Sequence, residues 1–493
     1  MIKKLTNYRD DRNIELTAYL GPRRAGKNFY NGVYGADPLD PKDGYPSFIT
    51  DGVFQLYKEA GLNFLMPEGD AYYGKRLTPN GFVDEPEFTK SDLYHYMEVA
   101  KRNGLSVYPT SEELFIHMSH AKGVIGEKEK RYIKEMIETL QKYFPDTFQG
   151  IMVTDEPVYS ELERVQSIMD YLQSDEIRAI KPNLKTFTSM LPIYGTLATF
   201  GPDMEENGMS GDAFEMRKNM YQCYIEACAK AMREFSVDFY ALVYEQGISP
   251  LYYLNLEMGA KHCKGKRIPL AVTLQSCRLD VDLNEQTGES TILYRTPNYY
   301  DMRWQVYSAL AFGASRIGYY TFWPHYNKGS ETQQPNAMLV YEPSEEKGYR
   351  VTEIYDAVKE VHQEILAFDH VFLRFQWQGC QVINSGDDEN IKCVEANYKD
   401  SRMLVKKARK SLLIGCMQNS EDRQDGYWVV NAENPSRYMI NDVELMFGDA
   451  DYVVYYRKGK EYHEPLKQGG LWQIRLGIGE GIFVIPYKTC ELE

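Results

Sequence analysis

In Gly150-Ile-Met-Val-Thr-Asp155-Glu156-Pro157 a short apolar run closes on two adjacent carboxylates and a proline. A run of this length and composition fits a buried parallel strand. On its N-terminal side, Glu127–Tyr143 carries the spacing of an amphipathic helix, and Tyr159–Gln173 carries it on the other side. Helix, strand and helix in succession build a parallel sheet, with the carboxylates where the strand runs into its loop.

The same alternation extends in both directions. Further strand-like runs fall at Ile14–Leu20, Asn63–Pro67, Leu105–Pro109, Lys185–Leu191, Asp238–Tyr244, Ile268–Leu274 and Arg316–Phe322. Between and after them, helical patterns occupy Asp51–Ala60, Ser91–Asn103, Ala213–Phe235, Pro250–Cys263, Tyr299–Phe312 and Val351–Asp369. Gly61, Gly104 and Gly313 follow helix ends directly, where glycine accepts the left-handed conformation that stops a helix. Eight strand–helix units predict a (β/α)8 barrel over residues 1–370, with an open doubly wound sheet as the other arrangement of the same pattern.

The pattern changes near residue 371. Runs such as Tyr427–Asn431, Tyr452–Arg457, Leu471–Leu476 and Gly481–Pro486 are short and separated by turn signals at Asn434-Pro435, Gly459 and Gly469-Gly470. Residues 371–493 therefore read as an all-β sandwich domain.

Composition narrows the partners. A net charge of −15 disfavours nucleic acid and anionic membrane surfaces, which need a basic patch, and favours a neutral ligand. The first residues lack the apolar core of a secretory signal, which predicts a cytoplasmic protein. None of the eight cysteines forms a CxxC pair, and His117 and His120 have no accompanying HExxH, so neither a metal nor a disulfide is expected. No glycine-rich nucleotide loop follows a strand, since Ala25-Gly26-Lys27 lacks the P-loop spacing, and no cofactor is expected. Oligomeric state is left open.

In a barrel of this kind reacting groups cluster where strands enter their βα loops. The expected strand ends supply Arg23, then Glu68 and Asp70, Glu112, Asp155 and Glu156, Tyr244 and Glu245, Gln275, and Trp323 with His325. Carboxylates and aromatic rings thus gather at one end. Glycosidic cleavage needs two carboxyl functions, one giving a proton to the leaving oxygen and one attacking or activating water, and sugar rings rest well against aromatic faces.

The motif at Gly150–Pro157 resembles the fourth-strand Asn-Glu-Pro of clan A glycoside hydrolases, where the glutamate is the acid/base. The segment Tyr300–Pro324 resembles the seventh helix and eighth strand of beta-galactosidase-like barrels of the family 42 type. Leu413–Gln418 and Tyr427–Pro435 look like the β-sandwich appended to such barrels. The resemblance implies Glu156 as proton donor, with Asp155 beside it. It also implies a nucleophilic glutamate at the end of strand seven, where this chain has Gln275.

Three functions follow. The leading one is hydrolysis of a neutral oligosaccharide or small glycoside, with Glu245 opposite Glu156 as base or nucleophile. Arg23, Glu68, Asp70, Glu112, Tyr244, Gln275, Trp323 and His325 would then contact the carbohydrate. The second is a substrate-assisted N-acetylhexosaminidase using Asp155 and Glu156, which needs no enzyme nucleophile. The third is a non-catalytic carbohydrate-binding protein on a barrel that lacks the strand-seven nucleophile.

Overall fold

The computed structural model of the chain describes residues 13–23, 47–67, 73–74, 76–78, 81–83, 87–195, 197–201, 213–228, 234–243, 247–281, 291–323, 337–342, 344–383, 391, 394–395, 398 and 402–488. Among these, eight parallel strands form a ring: β1 Glu15–Leu16, β2 Phe64–Leu65, β3 Ser106–Val107, β4 Gly150–Asp155, β5 Lys185–Met190, β6 Phe235–Asp238, β7 Leu270–Gln275 and β8 Ala314–Tyr320. The helices between and after them are α1 Asp51–Glu59, α2 Asp92–Asn103, α3 Glu127–Tyr143, α4 Leu162–Leu172, α5 Ala213–Cys228, α6 Tyr252–Lys266, α7 Tyr299–Ala311 and α8 Glu353–Leu366.

The ring closes where β1 pairs with β8, Glu15 opposite Arg316 and Leu16 opposite Ile317. From β8 the ladder runs through β7, β6 and β5 to β4, all parallel. Strands β2 and β3 pair with each other. The β1–β2 seam is held by Asn63, whose N–H donates to Leu16 O at 2.9 Å and whose Oδ1 accepts from Leu16 N at 3.0 Å. The β3–β4 seam is held by Val107 N to Thr147 O at 2.8 Å and Gln149 N to Val107 O at 3.1 Å. Strands one and eight therefore meet, and the sheet is a barrel rather than an open doubly wound one.

Side chains fill the interior. Tyr19, Phe64, Met66, Tyr108, Met152 and Phe187 form one buried cluster. Below it the Arg316 guanidinium lies over the rings of Phe64, Tyr108 and Phe187, at 5.1, 5.4 and 5.4 Å from their centroids. Arg316 also pairs with Glu15 and Glu234, and Lys185 pairs with Glu15. Burial lifts the Glu234 carboxyl to about 7 despite the arginine beside it. This plug fills the end from which the strands start, so a ligand can reach the interior from the other end.

Helix caps follow the sequence signals. Ser91 accepts from Tyr94 N at the start of α2, and Gly104 ends that helix at φ 66°. Gly61 and Gly313 likewise have positive φ, 83° and 85°.

Strand six departs from the sequence expectation. The strand is Phe235–Asp238, so Phe235 begins it instead of ending the preceding helix, which is described over Ala213–Cys228. The apolar run Phe239–Val243 is a buried loop beyond the strand. In Glu234-Phe-Ser-Val-Asp238 the two-residue period is present: Phe235 and Val237 join the core beneath the helices, and Glu234 bonds Arg316 inside the ring. The longer hydrophobic run after it mimics a strand because a loop packed over a barrel mouth is also apolar.

The C-terminal part is a sandwich of two antiparallel sheets. Its strands are β9 Phe375–Ile383, β10 Met403–Ala408, β11 Leu412–Asn419, β12 Asp425–Asn431, β13 Asn441–Phe447, β14 Tyr452–Arg457, β15 Lys460–Pro465, β16 Leu471–Leu476 and β17 Gly481–Tyr487. One sheet has the order β9-β11-β12-β17-β14-β15 and the other β10-β13-β16. Leu412, Ile414, Tyr427, Val429, Val443, Leu445 and Phe447 pack between them. The opposite face of the larger sheet, with Leu413, Trp428, Val430 and Phe483, merges with the barrel core. Helix α7 lies in that contact, which explains why residues 301–311 are buried all round.

Two sheet glycines make the close approach possible. A Cβ on Gly415 would stand 2.0 Å from the carbonyl oxygen of Ala311, and one on Gly481 would stand 2.5 Å from the Tyr307 ring. We predict that Gly415→Ala destabilises the chain by at least about 1–3 kcal/mol, since backbone and not a movable side chain opposes the methyl. Urea unfolding measures this, and a midpoint equal to wild type would contradict the packing described.

Candidate active site

Strands four and six each end in a carboxylate at the open end of the barrel. Glu156 follows β4 with φ 45°, a left-handed conformation uncommon for a non-glycine residue. Its backbone is held on both sides. Glu156 N donates to Ser189 O on β5 at 2.9 Å. The Tyr224 hydroxyl of α5 donates to Pro157 O at 2.6 Å and accepts from Leu191 N at 3.3 Å. Such bracing fixes where the Glu156 side chain leaves the strand.

Asp155 accepts from the hydroxyl of Tyr19, three residues past the end of β1, at 3.3 Å. Behind it, Thr154 Oγ1 lies 3.3 Å from His120 Nε2, and His120 Nδ1 lies 3.1 Å from Glu161. These contacts tie the third and fourth βα loops together.

Asp238 closes β6 and is only 6% exposed. Its carboxyl stands close enough to Glu156 and to the Tyr240 hydroxyl for each to act on its charge, and its Oδ1 is buried without a hydrogen-bond partner among the described residues. Rings surround the pair. Tyr240 lies 5.7 Å from Tyr294 and 5.3 Å from Tyr320, Tyr320 lies 6.1 Å from Tyr19, and Tyr194 lies 5.0 Å from Phe239. Aromatic rings thus surround the two carboxyls at this end of the barrel.

Electrostatics sets the proton count. Glu156 is exposed as a residue, yet protein crowds its carboxyl, and this desolvation raises its pKa while Asp238 beside it acts the other way. Asp238 is pushed well above the ordinary carboxylate range, first by burial and then by the negative charges of Glu156 and Asp155. Two neighbouring carboxyls oppose each other's ionisation, so one of them keeps its proton above the ordinary carboxylate range. A carboxylic acid kept protonated can donate to a leaving group, and its ionised neighbour can accept.

The other expected residues fall as follows. Gln275 is fully buried: its Oε1 accepts from Leu242 N at 2.9 Å, and its Nε2 donates to Cys277 O at 3.1 Å and Arg295 O at 2.8 Å. The amide is occupied in tying loops six and seven together, which corrects its expected place at a sugar hydroxyl. Trp323 is 3% exposed and stacks on Phe48 at 4.7 Å, so its ring packs in the core instead of offering a free face. Arg23 is buried, with its carbonyl accepting from Phe48 N. Glu112 lies beside His117 at 3.7 Å. Glu68, Asp70, Tyr244, Glu245 and His325 lie outside the described residues.

Sequence reading missed Asp238, Tyr240, Tyr294 and Tyr320. The signal for Asp238 was available: it closes a short alternating run, as Asp155 closes its own. Tyr294 comes from a hairpin inserted after β7, Leu279–Val281 with Thr291–Tyr294, which the strand–helix pattern does not foresee.

No family model matches the chain, and no curated protein does. Several solved structures are similar to it. A glycoside hydrolase family 5 protein from Bacteroides vulgatus has 11% identity and a TM-score of 0.49, over 97% of this chain and 90% of that one. A structure described as a glycoside hydrolase has 12% identity and a TM-score of 0.48, over 97% and 93%. An alpha-L-arabinofuranosidase from Thermotoga maritima has 10% identity and a TM-score of 0.43, over 97% and 96%. At such values the barrel rests on the chain's own strand pairing, and the site on its own side chains.

The raised carboxyls predict a pH-dependent stability. Above the unfolded-state value near 4, an aspartate ionises in the unfolded chain while the native pair retains its proton, so native stability falls as pH rises. Asp238→Asn should therefore be more stable than wild type at pH 7, with a gain that shrinks and vanishes as the pH falls towards 4. Thermal unfolding across pH 4–8 tests this, and a variant uniformly less stable over that range would contradict it.

Proposed function

We propose that this chain hydrolyses glycosidic bonds, with Glu156 as the proton donor and Asp238 as its partner carboxylate. The observation that carries the reading is the pairing of Glu156 with Asp238 at the ends of β4 and β6, beside the ring cluster of Tyr19, Tyr240, Tyr294 and Tyr320. The pair shares one proton, which rests mainly on Asp238; in the state that reacts it sits on Glu156, the more accessible of the two, which protonates the leaving oxygen as the bond breaks. Asp238 holds the pair's negative charge and stabilises the positive charge developing at the anomeric carbon. The tyrosines give the sugar ring apolar faces and hydroxyl partners. Clan A resemblance in the Gly150–Pro157 motif agrees with the role of Glu156, while no finer family, sugar or anomer is assigned by it.

The direct effect of each carboxyl on the other favours a second reading. A nucleophile and an acid on opposite sides of a sugar stand about 5–5.5 Å apart, and an inverting pair about 6.5–9.5 Å. Glu156 and Asp238 act on each other's charge as immediate neighbours do. They suit an acid with an adjacent orienter, as in substrate-assisted cleavage of 2-acetamido sugars. There the acetamido oxygen attacks the anomeric carbon while Glu156 protonates the leaving oxygen. Asp238 would accept from the acetamido N–H, and water would open the resulting oxazoline. This moves the orienting role from Asp155 to Asp238.

A panel of aryl glycosides with and without a 2-acetamido group separates the readings. Cleavage confined to 2-acetamido substrates selects substrate assistance. Cleavage of plain glycosides with inert acetamido ones selects the first reading. Glu156→Gln should lower kcat by about 10²–10⁴-fold on substrates with poor leaving groups. Wild-type turnover in that variant, or no hydrolysis of any panel member by folded protein, would refute the proposal.

A further inference from the structure

Three buried oxygens at and just beneath the carboxyl pair have no hydrogen-bond partner among the described residues: Ser189 Oγ, Ser236 Oγ and Asp238 Oδ1. Both serines are 1% exposed, and Asp238 is little more. A single unpartnered polar atom in so buried a place is costly, and three together call for a ligand that bonds them all.

Strand pairing brings these residues side by side. Ser189 of β5 and Ser236 of β6 stand opposite one another in register. Alternation sets the direction of their side chains. Phe187 belongs to the interior cluster and Glu234 bonds Arg316 inside the ring. Ser189, Ser236 and Asp238 lie an even number of residues further along and share that interior face. Beyond Ser236, β7 offers only the methyl of Ala271 in register. Ser189 is joined to the proposed proton donor as well, since its carbonyl accepts from Glu156 N at 2.9 Å.

Adjacent strands stand about 4.8 Å apart, and successive residues on one face of a strand about 6.6 Å. One water joins oxygens about 5.5 Å apart, within reach of two hydroxyls and a flexible carboxyl so arranged. A sugar ring has no route to side chains this buried, whereas a water with three polar partners is well held.

We propose that Ser189, Ser236 and Asp238 bind one ordered water, which makes the two serines positioning residues for the acid pair. The water accepts from one serine hydroxyl and donates to the other and to Asp238 Oδ1. It thereby stabilises Asp238 when ionised, the state in which Glu156 carries the shared proton and can protonate a leaving oxygen. Only this kinetic consequence rests on the hydrolase reading. Glu156 and Asp155 act on Asp238 from the end of β4, and Tyr194, Tyr221, Tyr240 and Tyr294 feel its charge from the loops and α5. At the base, Arg316, Glu15, Glu234 and Lys185 are paired with one another. The variants below leave all of these groups in place.

The experiment uses Ser189→Ala/Ser236→Ala and the two single variants. Carbon-13 titration of the Asp238 carboxyl should show the upper ionisation of the pair weakened about 10–100-fold in the double variant, the loss expected for a hydrogen bond to a charged group. At a pH between the two ionisations kcat should fall by the same factor with KM little changed, because one bond controls both. Thr188→Val removes a buried, unpartnered hydroxyl from the other face of β5 and should alter neither. An upper ionisation equal to wild type in the folded double variant, or the same change in Thr188→Val, overturns the water site. A weakened ionisation without a matching fall in kcat overturns the positioning role. A weakened ionisation in a protein that cleaves no glycoside overturns the hydrolase reading and supports the water site. A high-resolution crystal structure of the wild type gives a test that needs no variant. It should show a water within about 3 Å of all three oxygens, and serine hydroxyls bonded to backbone with no water between them overturn the proposal.

Discussion

Closure of the sheet, made where Leu16 meets Ile317, is the constraint on which the remaining structure rests. An open sheet could leave one face to solvent, whereas a closed one must fill its own interior. Arg316 shows how that is done here. Its charge is matched by Glu15 and Glu234 and its flat face is covered by three aromatic rings, so one polar side chain completes an otherwise apolar plug. With the lower end filled, the carboxyls that follow β4 and β6 come together at the other end.

The behaviour of Glu156 and Asp238 follows from their crowding. Burial is the largest influence on both carboxyls and raises both. Burial raises Glu234 as well, but Arg316 opposes it. The two ends therefore differ: an arginine matches the carboxylates at the base, and two carboxyls act on each other at the mouth. Gln275 fits this division. It sits at the end of β7, where a carboxylate would add a further charge, and its amide fastens loops six and seven through Leu242, Cys277 and Arg295. The hairpin that carries Tyr294 is held in place by the same amide.

Much of this was legible from residues alone, because barrel strands and helices announce themselves by period. Helix α3 spans the residues that its spacing predicts, and β14 and β16 do likewise. Hydrophobic period reports burial, however, and not which element is buried. At strand six two apolar segments adjoin, and the loop Phe239–Val243 outweighs the four-residue strand before it. That shift carried attention from Asp238 to Tyr244 and Glu245. Trp323 and Gln275 misled for a related reason. A strand-end position says that a side chain is near the mouth, but Trp323 turns onto Phe48 and Gln275 turns onto backbone. Contacts made by loops, such as Tyr294 against Tyr240, depend on inserted segments with no period to read.

The shared proton between Glu156 and Asp238 can be observed directly by following side-chain carboxyl carbon-13 resonances with pH, assigned through Glu156→Gln and Asp238→Asn. A single proton held by the pair predicts two steps, with one lying well above the ordinary carboxylate range. Two independent titrations, both finished below about pH 5 as for ordinary carboxylates, would contradict it.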